Sequence, residues 1–454
     1  MTTYGNKTAL ATVLTELGDT IATRVWSEGK WSTYRSWPTA VAFSEGRLWW
    51  SGFNGVFGSV SDDYYNFDSA TLGDSGPIDR TIGSGPVDTV NWMLNLQKLV
   101  LGTEGTEIVC KSSSFDEPLT PTAFSLRTAS TQGSGTVAAV AIDRTGIFVQ
   151  RGGTRVMELA IDVRDGEYGS TDLTLLIPEL CQPRIVRVAV QRQPDTRLHC
   201  VLNDGTVAIM VYDRAENVRS WSLYTTNGLI EDVVILPGVA GEAEDHVYYH
   251  VNRTINGATK RYLERWATEA QCEGATLNRN IDCFYAYSGA SATVITSLSH
   301  LEAKSVVVWG NGKDLGTYTV ASGSITLSEA VTSAIIGLTY TAQWKSVKLA
   351  YSQGQNSPQT LAQKKKVSQI AVILLNTHYQ GLKFGPDFTN LDDMPQTSGN
   401  SIIAANTVHT TFDEETISFP GEWSTDSRLC LQSAAPRPCN VLCAIVGVES
   451  HDKS

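Results

Sequence analysis

The residues best equipped for chemistry are two histidines, His246 and His250, in HVYYH. Four positions apart on a strand of period two, they share one face. That spacing suits two ligands of a transition metal, but a centre needs a third donor, and none lies nearby. They read as a surface pair, and no metal is expected. The acidic run DVRDGEYGSTD, Asp162 to Asp172, offers the oxygens that calcium prefers. It lacks the D-x-[DN]-x-[DN]-G spacing with a terminal glutamate and reads as a solvated loop between repeats. Cys439 and Cys443 are the one local cysteine pair, with no second pair to complete a zinc site. The other cysteines, Cys110, Cys181, Cys200, Cys272, Cys283 and Cys430, sit mostly in strand-like text such as LHCVL. All eight read as reduced thiols of a protein made in a cytoplasm rather than as a disulfide framework. The glycine-rich pieces GSGP (Gly83 to Pro86) and TQGSGT (Thr131 to Thr136) precede neither a helix nor Gly-Lys-Ser/Thr, so they form no phosphate cradle. There is no G-x-S-x-G and no Ser/His/Asp set. No catalytic residue and no cofactor is expected. A pair of glycosidase carboxylates on separate repeats leaves no local signature, so a glycan-degrading activity is retained as a minor alternative.

The formal net charge of −12 denies nucleic acid the clustered cations that phosphate neutralisation requires. An acidic surface instead lets DNA pass without sticking. No run of about 18 apolar residues marks a membrane span. The start, MTTYGNKTAL, lacks the basic-then-apolar pattern of a secretion signal.

The elements that carry these residues are strands. Helical periodicity is scarce, and short apolar runs bounded by Gly, Asn and Asp dominate. Five segments share one grammar of strand, glycine turn and strand: RLWWSGFNGVFGSV, KLVLGTEGTEIVC, GIFVQRGGTRVMELA, RLHCVLNDGTVAIMVYD and HVYYHVNRTINGATKRYLERW. Corresponding positions are Leu48, Leu99, Ile147, Leu198 and Val247, at intervals of 51, 48, 51 and 49 residues. A period near 50 predicts radial β-sheet repeats, one propeller blade each. One sheet cannot bury both faces, whereas neighbours packed in series do so. An open β-sandwich with chance spacing is the competing architecture. Asn203-Asp204-Gly205 and Arg151-Gly152-Gly153 supply the positive φ that tight hairpins need.

The predicted fold is thus all-β. A propeller-like body spans 1–266, a polar linker 267–281, a small β-sandwich 282–350 and a β segment 351–454. The apolar strands AVILL and NVLCAIVGV of that last segment need partners, which predicts that it packs back on the first body. Lys364, Lys365 and Lys366 open one of its strands. They read either as an edge guarded against stray pairing or as a contact for an acidic neighbouring subunit.

Two adjacent tryptophans, an arginine and a proline fall within WPTAVAFSEGRLWWSG, Trp37 to Gly52, whose sole carboxylate is Glu45. Followed by DDYYNF (Asp62 to Phe67), it resembles the nozzle, or tail tubular protein B-like "stabilisation", proteins of short-tailed phages. The resemblance continues in order through GPIDRTIGSGPVDTVNWM, LQKLVLGTEGTEIV, Arg144 to Leu176, QRQPDTRLHCVLNDGTVAIMVYDRAENVRSWSLYTT, ATKRYLERW, GLKFGPDF and FPGEWSTDSRLCLQ, covering about residues 31 to 448. Family members often carry a longer segment before the first block, where this sequence has about 36 residues. The blocks mark Pro38, Arg47, Leu48, Trp49, Trp50, Gly152, Gly153, Pro386, Asp387, Pro420, Gly421 and Trp423 as signature positions. The resemblance implies a structural protein of the virion tail, made in the host cytoplasm and assembled as a homo-hexameric ring. Such a ring sits below the portal and adaptor, continues the DNA ejection channel without sequence-specific binding, and holds fibre, spike or plug proteins. In that frame the tryptophans serve blade packing and Arg47 stacks or pairs at a rim. The alternatives are a receptor- or glycan-binding propeller with Trp49 and Trp50 as sugar platforms, and the glycan-degrading enzyme.

Overall fold

The computed structural model describes residues 3–5, 8–10, 21, 31–33, 36–52, 54–83, 89–113, 117–162, 166–350, 362–398 and 401–450. The fold is all-β. The repeated text becomes five consecutive antiparallel sheets, each a meander whose strands pair in sequence order. This is the sheet-per-repeat pattern of a propeller-like body. The first sheet contains Ala40–Ser44, Arg47–Gly52, Gly55–Gly58 and Ile78–Thr81. The second contains Val90–Asn95, Leu99–Thr103, Glu107–Lys111 and Ser125–Ser130. The third runs from Val140–Ile142 through Thr145–Val149 and Val156–Ile161 to Tyr168–Asp172, and the fourth from Ile185–Gln191 through Arg197–Leu202 and Val207–Asp213 to Val218–Tyr224. The fifth has three strands, Leu229–Leu236, His246–Ile255 and Ala258–Arg265.

Each predicted strand–turn–strand segment forms two neighbouring strands of one sheet, so the period near 50 is the repeat of the sheets. Sheet-to-sheet bonds express it directly. The Thr39 hydroxyl donates to the Val90 carbonyl at 2.6 Å and the Ser44 hydroxyl to the Asn95 side chain at 3.1 Å, each across 51 residues. His199 Nδ1 meets the Tyr249 hydroxyl at 2.7 Å across 50. Apolar side chains close the same gaps. Trp49, Val56 and Ile78 of the first sheet share a core with Val90, Leu99, Leu101 and Ile108 of the second. Val201, Val207 and Ile209 of the fourth share one with Ile230, Val247, Tyr249 and Val251 of the fifth. The hairpin turns follow their residues: Gly153 has φ +78° and Gly205 φ +81°, left-handed values that glycine adopts without a Cβ clash. Contacts divide the chain into two compact units, Met1–Arg151 with Leu159–Ser170, and Gly152–Glu158 with Thr171–Ser454, so the division falls within the third sheet.

Beyond the fifth sheet, residues 267–281 are held down rather than loose. The Asn278 amide, fully buried, donates to the Pro436 carbonyl at 2.8 Å, and the Trp309 indole donates to the Ala275 carbonyl at 2.9 Å. The small domain is one four-stranded sheet, ordered Asp282–Ile295, Ile325–Leu338, Ser305–Gly310 and Lys313–Thr319. Its strands bury both faces. Val306, Val308, Val331 and Ile336 pack on Leu298 and Leu301, while Val307, Trp309 and Ile335 pack on Ile281 and Ala435. The strand Thr341–Lys345, expected within the sandwich, joins a sheet of the last segment by pairing with Cys430–Ala434.

Two readings are refined here. The strands AVILL and NVLCAIVGV hydrogen-bond to each other rather than to a sheet of the first body. Lys365–His378 pairs with Asn440–Ser450 on one side and Val408–Ser418 on the other. The same pairing removes the guarded-edge reading of the lysines. Lys365–His378 is a central strand, and the Lys365 side chain is fully buried with its ammonium donating to the Gln363 carbonyl at 3.1 Å.

Candidate functional site

The signature residues gather at two places. The first is the turn at the start of the first sheet. Alternation on Arg47–Gly52 sends Arg47, Trp49 and Ser51 inward and leaves Leu48 and Trp50 half-buried. Trp49 is fully buried, donates its indole N–H to the Ser44 carbonyl at 3.0 Å and stacks on Phe124 with ring centroids 5.9 Å apart. It packs against Gly58, where a Cβ would stand 2.9 Å from the indole ring. Trp49 is therefore a core residue and not a sugar platform. Pro38 is half-buried over the backbone of Gly52.

Arg47 does something the sequence did not disclose. Its guanidinium turns inward and donates to four backbone carbonyls: Ser59 at 2.5 Å, Asp74 at 2.7 Å, Gly76 at 2.6 Å and Ser75 at 3.3 Å. Burial lowers its pKa, an effect opposed by the neighbouring carboxylates Glu45 and Asp62. A buried guanidinium is costly unless its donors are satisfied, and here the satisfied donors lash both ends of the loop that links the third and fourth strands. That loop carries DDYYNFDSATLGD. Tyr65 is 96% exposed and Leu72 86%, and Tyr64, Phe67 and Phe43 are exposed as well. Phe43 and Tyr64 meet edge-on at 5.2 Å. Between Leu48 and Asp79 the sequence has five aspartates and no Lys, Arg or His. This cation-free, tyrosine-bearing run was the available signal for the loop.

The second place lies in the last segment. GLKFGPDF and FPGEW, about 35 residues apart in sequence, line one cleft of about 470 Å³. Pro386, Asp387, Gly421, Glu422 and Phe419 border it together with Lys345, Asp426 and Arg428. Asp387 accepts from the Thr389 hydroxyl at 2.6 Å and from the amides of Thr389 and Asn390 at 2.8 and 2.9 Å, and these bonds hold its carboxyl below the usual range. Gly421 has room for no side chain, since a Cβ would lie 2.0 Å from the Val367 carbonyl oxygen. Pro420 is half-buried and Trp423 exposed. Arg428 pairs with Asp426 at 2.8 Å. The charged lining of the cleft is Lys345 and Arg428 against Asp387, Glu422 and Asp426, of which Arg428 and Asp426 form an ion pair.

No family model matches this chain, and no curated protein matches it. Among solved structures it is similar to the β-propeller domain of Cps50 (Swd1) from Myceliophteria thermophila, at 10% identity and TM-score 0.29, covering 66% of this chain and 82% of that one. A protein from Lactobacillus plantarum gives 14% identity and TM-score 0.27, covering 64% and 79%. GH43B of Bacteroides ovatus gives 11% identity and TM-score 0.23, covering 91% and 89%. Values this low transfer no activity to the chain.

The remaining sequence candidates do not converge. His246 pairs with Glu242 at 2.8 Å and His250 with Glu231 at 3.2 Å. Among the described residues no three His, Cys, Asp or Glu side chains form a metal group. All eight cysteines are free thiols. The acidic run is a turn inside the third sheet, closed by the Asp162 amide donating to the Glu167 carbonyl at 2.8 Å, and not a connection between repeats; residues 163–165 lie outside the described residues. Gly152 and Gly153 form a hairpin turn whose Gly153 carbonyl accepts from the Ile185 amide at 2.7 Å, which ties the turn to the fourth sheet. The most perturbed histidine is one the sequence passed over. His199 is fully buried, bonded to Tyr249 and Gln191, and burial together with Arg197 pushes its pKa down to about 3. Enclosed by Tyr249 and Trp266, it is a core hydrogen-bonding group.

Proposed function

We propose that this chain is a structural subunit of a short-tailed phage tail. In this reading it is a nozzle or hub ring that continues the DNA ejection channel below the portal and adaptor and holds fibre or plug proteins. One observation carries the reading: a buried arginine that donates to four backbone carbonyls is committed to bracing a loop whose aromatic side chains face solvent. Rigidifying a surface in advance removes part of the ordering cost of association. Several exposed aromatic side chains gathered on one braced loop mark a contact with another macromolecule. The ordered sequence blocks support the same reading, because they fall on the brace, on blade-to-blade packing and on the rim of the late cleft. The acidic balance suits a channel past which DNA slides.

The test is native mass spectrometry of the chain, alone and with the portal, adaptor and fibre proteins of its own gene cluster, beside a protein inventory of purified particles. A ring of defined stoichiometry and a place in the particle support the reading. A monomer in every mixture, or absence from particles, overturns it. The carbohydrate-platform reading loses Trp49, which the first sheet buries.

A further inference from the structure

The braced loop has a counterpart in the same chain. The outward side of the fifth sheet carries exposed Val234, Leu236 and Leu263. Its outer strand, Ala258–Arg265, pairs on one side only, with His246–Ile255, so its other backbone edge is open among the described residues. That strand is basic: Lys260, Arg261 and Arg265 are exposed. Arg261 is committed to Glu231, while Lys260 and Arg265 form no ion pair among the described residues. The braced loop is its opposite in charge and its like in polarity. Asp62, Asp63 and Asp68 are interspersed with Tyr64, Tyr65 and Phe67, with Leu72 following and no cation in the run.

We infer that the loop 59–76 of one copy docks on the open edge of the outer strand Ala258–Arg265 of a second copy, its aromatic side chains seating on Leu263 and its aspartates meeting Arg265 on the same face and Lys260, which the register places on the other face, around that edge. Two different surfaces in contact make a heterologous interface, which either closes into a ring or grows into a filament. The inference rests on the ring reading for closure, and it names the surfaces that such a ring joins. Apolar anchors supply affinity, and the charged rim sets register and salt dependence. A strand one-sidedly paired and rich in Lys and Arg resists promiscuous pairing, and the acidic loop relieves that protection for one partner.

Charge exchange in the intact chain tests it. One variant carries Asp63→Lys and Asp68→Lys, and the other Lys260→Glu and Arg265→Glu; all four positions are exposed, and circular dichroism verifies that both variants fold. Native mass spectrometry at low salt is expected to show wild-type assemblies, at least a tenfold loss of association for each variant alone, and recovery when the two are mixed. In a mixture of ¹⁴N- and ¹⁵N-labelled wild type, carbodiimide is expected to join an aspartate of the loop to Lys260 across mixed-label chains. Assemblies indifferent to both variants, with cross-links elsewhere, overturn this interface and leave the ring reading standing. A wild-type chain that stays monomeric alone and with its tail neighbours overturns both.

Discussion

Arg47 and Asp74 stand 27 residues apart in sequence, and the Arg47 guanidinium donates to the Asp74 main-chain carbonyl at 2.7 Å. The contact recognises backbone, so it fixes the path of the loop whatever side chains the loop displays. The surface can therefore vary while its presentation stays constant.

Replacing Arg47 by Lys keeps the charge but offers a point donor in place of a planar fork. At least one buried carbonyl is left unpaired, at a cost of about 1–3 kcal/mol. Urea unfolding is expected to show that loss, and hydrogen exchange to show the amides of Val60, Ser61 and Asp62 opening first. Unchanged protection across the loop contradicts the brace.

The adjacent tryptophans are not equivalent. Trp49→Ala empties a sealed core position and is expected to cost about 3–5 kcal/mol, whereas Trp50→Ala, at a half-buried position, is expected to cost about half as much or less. Equal losses in thermal unfolding would contradict the burial difference.

The paired glycines also separate. Gly152→Ala meets nothing closer than the Thr154 hydroxyl at 3.9 Å and is expected to be nearly neutral. Gly153→Ala combines φ +78° with an approach of 2.9 Å to Arg184 Nε. It is expected to cost about 1–2 kcal/mol from the left-handed backbone alone. Chemical denaturation of the two variants side by side decides it.

Acid should weaken the fourth and fifth sheets through His199. Its folded pKa, about 3, lies below the ordinary 6.5 of the unfolded chain, so between these values the unfolded state binds more protons. The associated stability is fully present above pH 6.5 and falls as pH drops from there toward 3. His378, lowered to about 4 by burial and Arg437, acts in the same direction. Melting temperatures from pH 8 to 5 are expected to decline for wild type and to decline less for His199→Phe. Identical slopes would remove His199 as a cause.

The period was legible because a hairpin's turn chemistry is local: Asn203-Asp204-Gly205 and Arg151-Gly152-Gly153 announce their geometry in three residues. The destination of a strand is not local. AVILL reads as buried wherever it goes, and only tertiary pairing sets NVLCAIVGV beside it. Lys365 looked like an exposed guard because charge is normally solvated, and its burial depends on strands on both sides that come later in the chain. Arg47 was visible as a rim residue, but its four acceptors are main-chain oxygens with no signature in residue identity. The late cleft was half visible, in that both sequence blocks were marked while their convergence was not.

The pairing of Lys365–His378 also imposes a schedule on synthesis. The strand leaves the ribosome before either strand that flanks it, and its second flank is complete only when Ser450 has been added. At ordinary elongation rates this apolar strand waits roughly 4–14 seconds before both of its edges can be covered. A pause or a chaperone at this stage would govern the yield of usable protein, and synonymous codons between the two strands become a place where that yield is set.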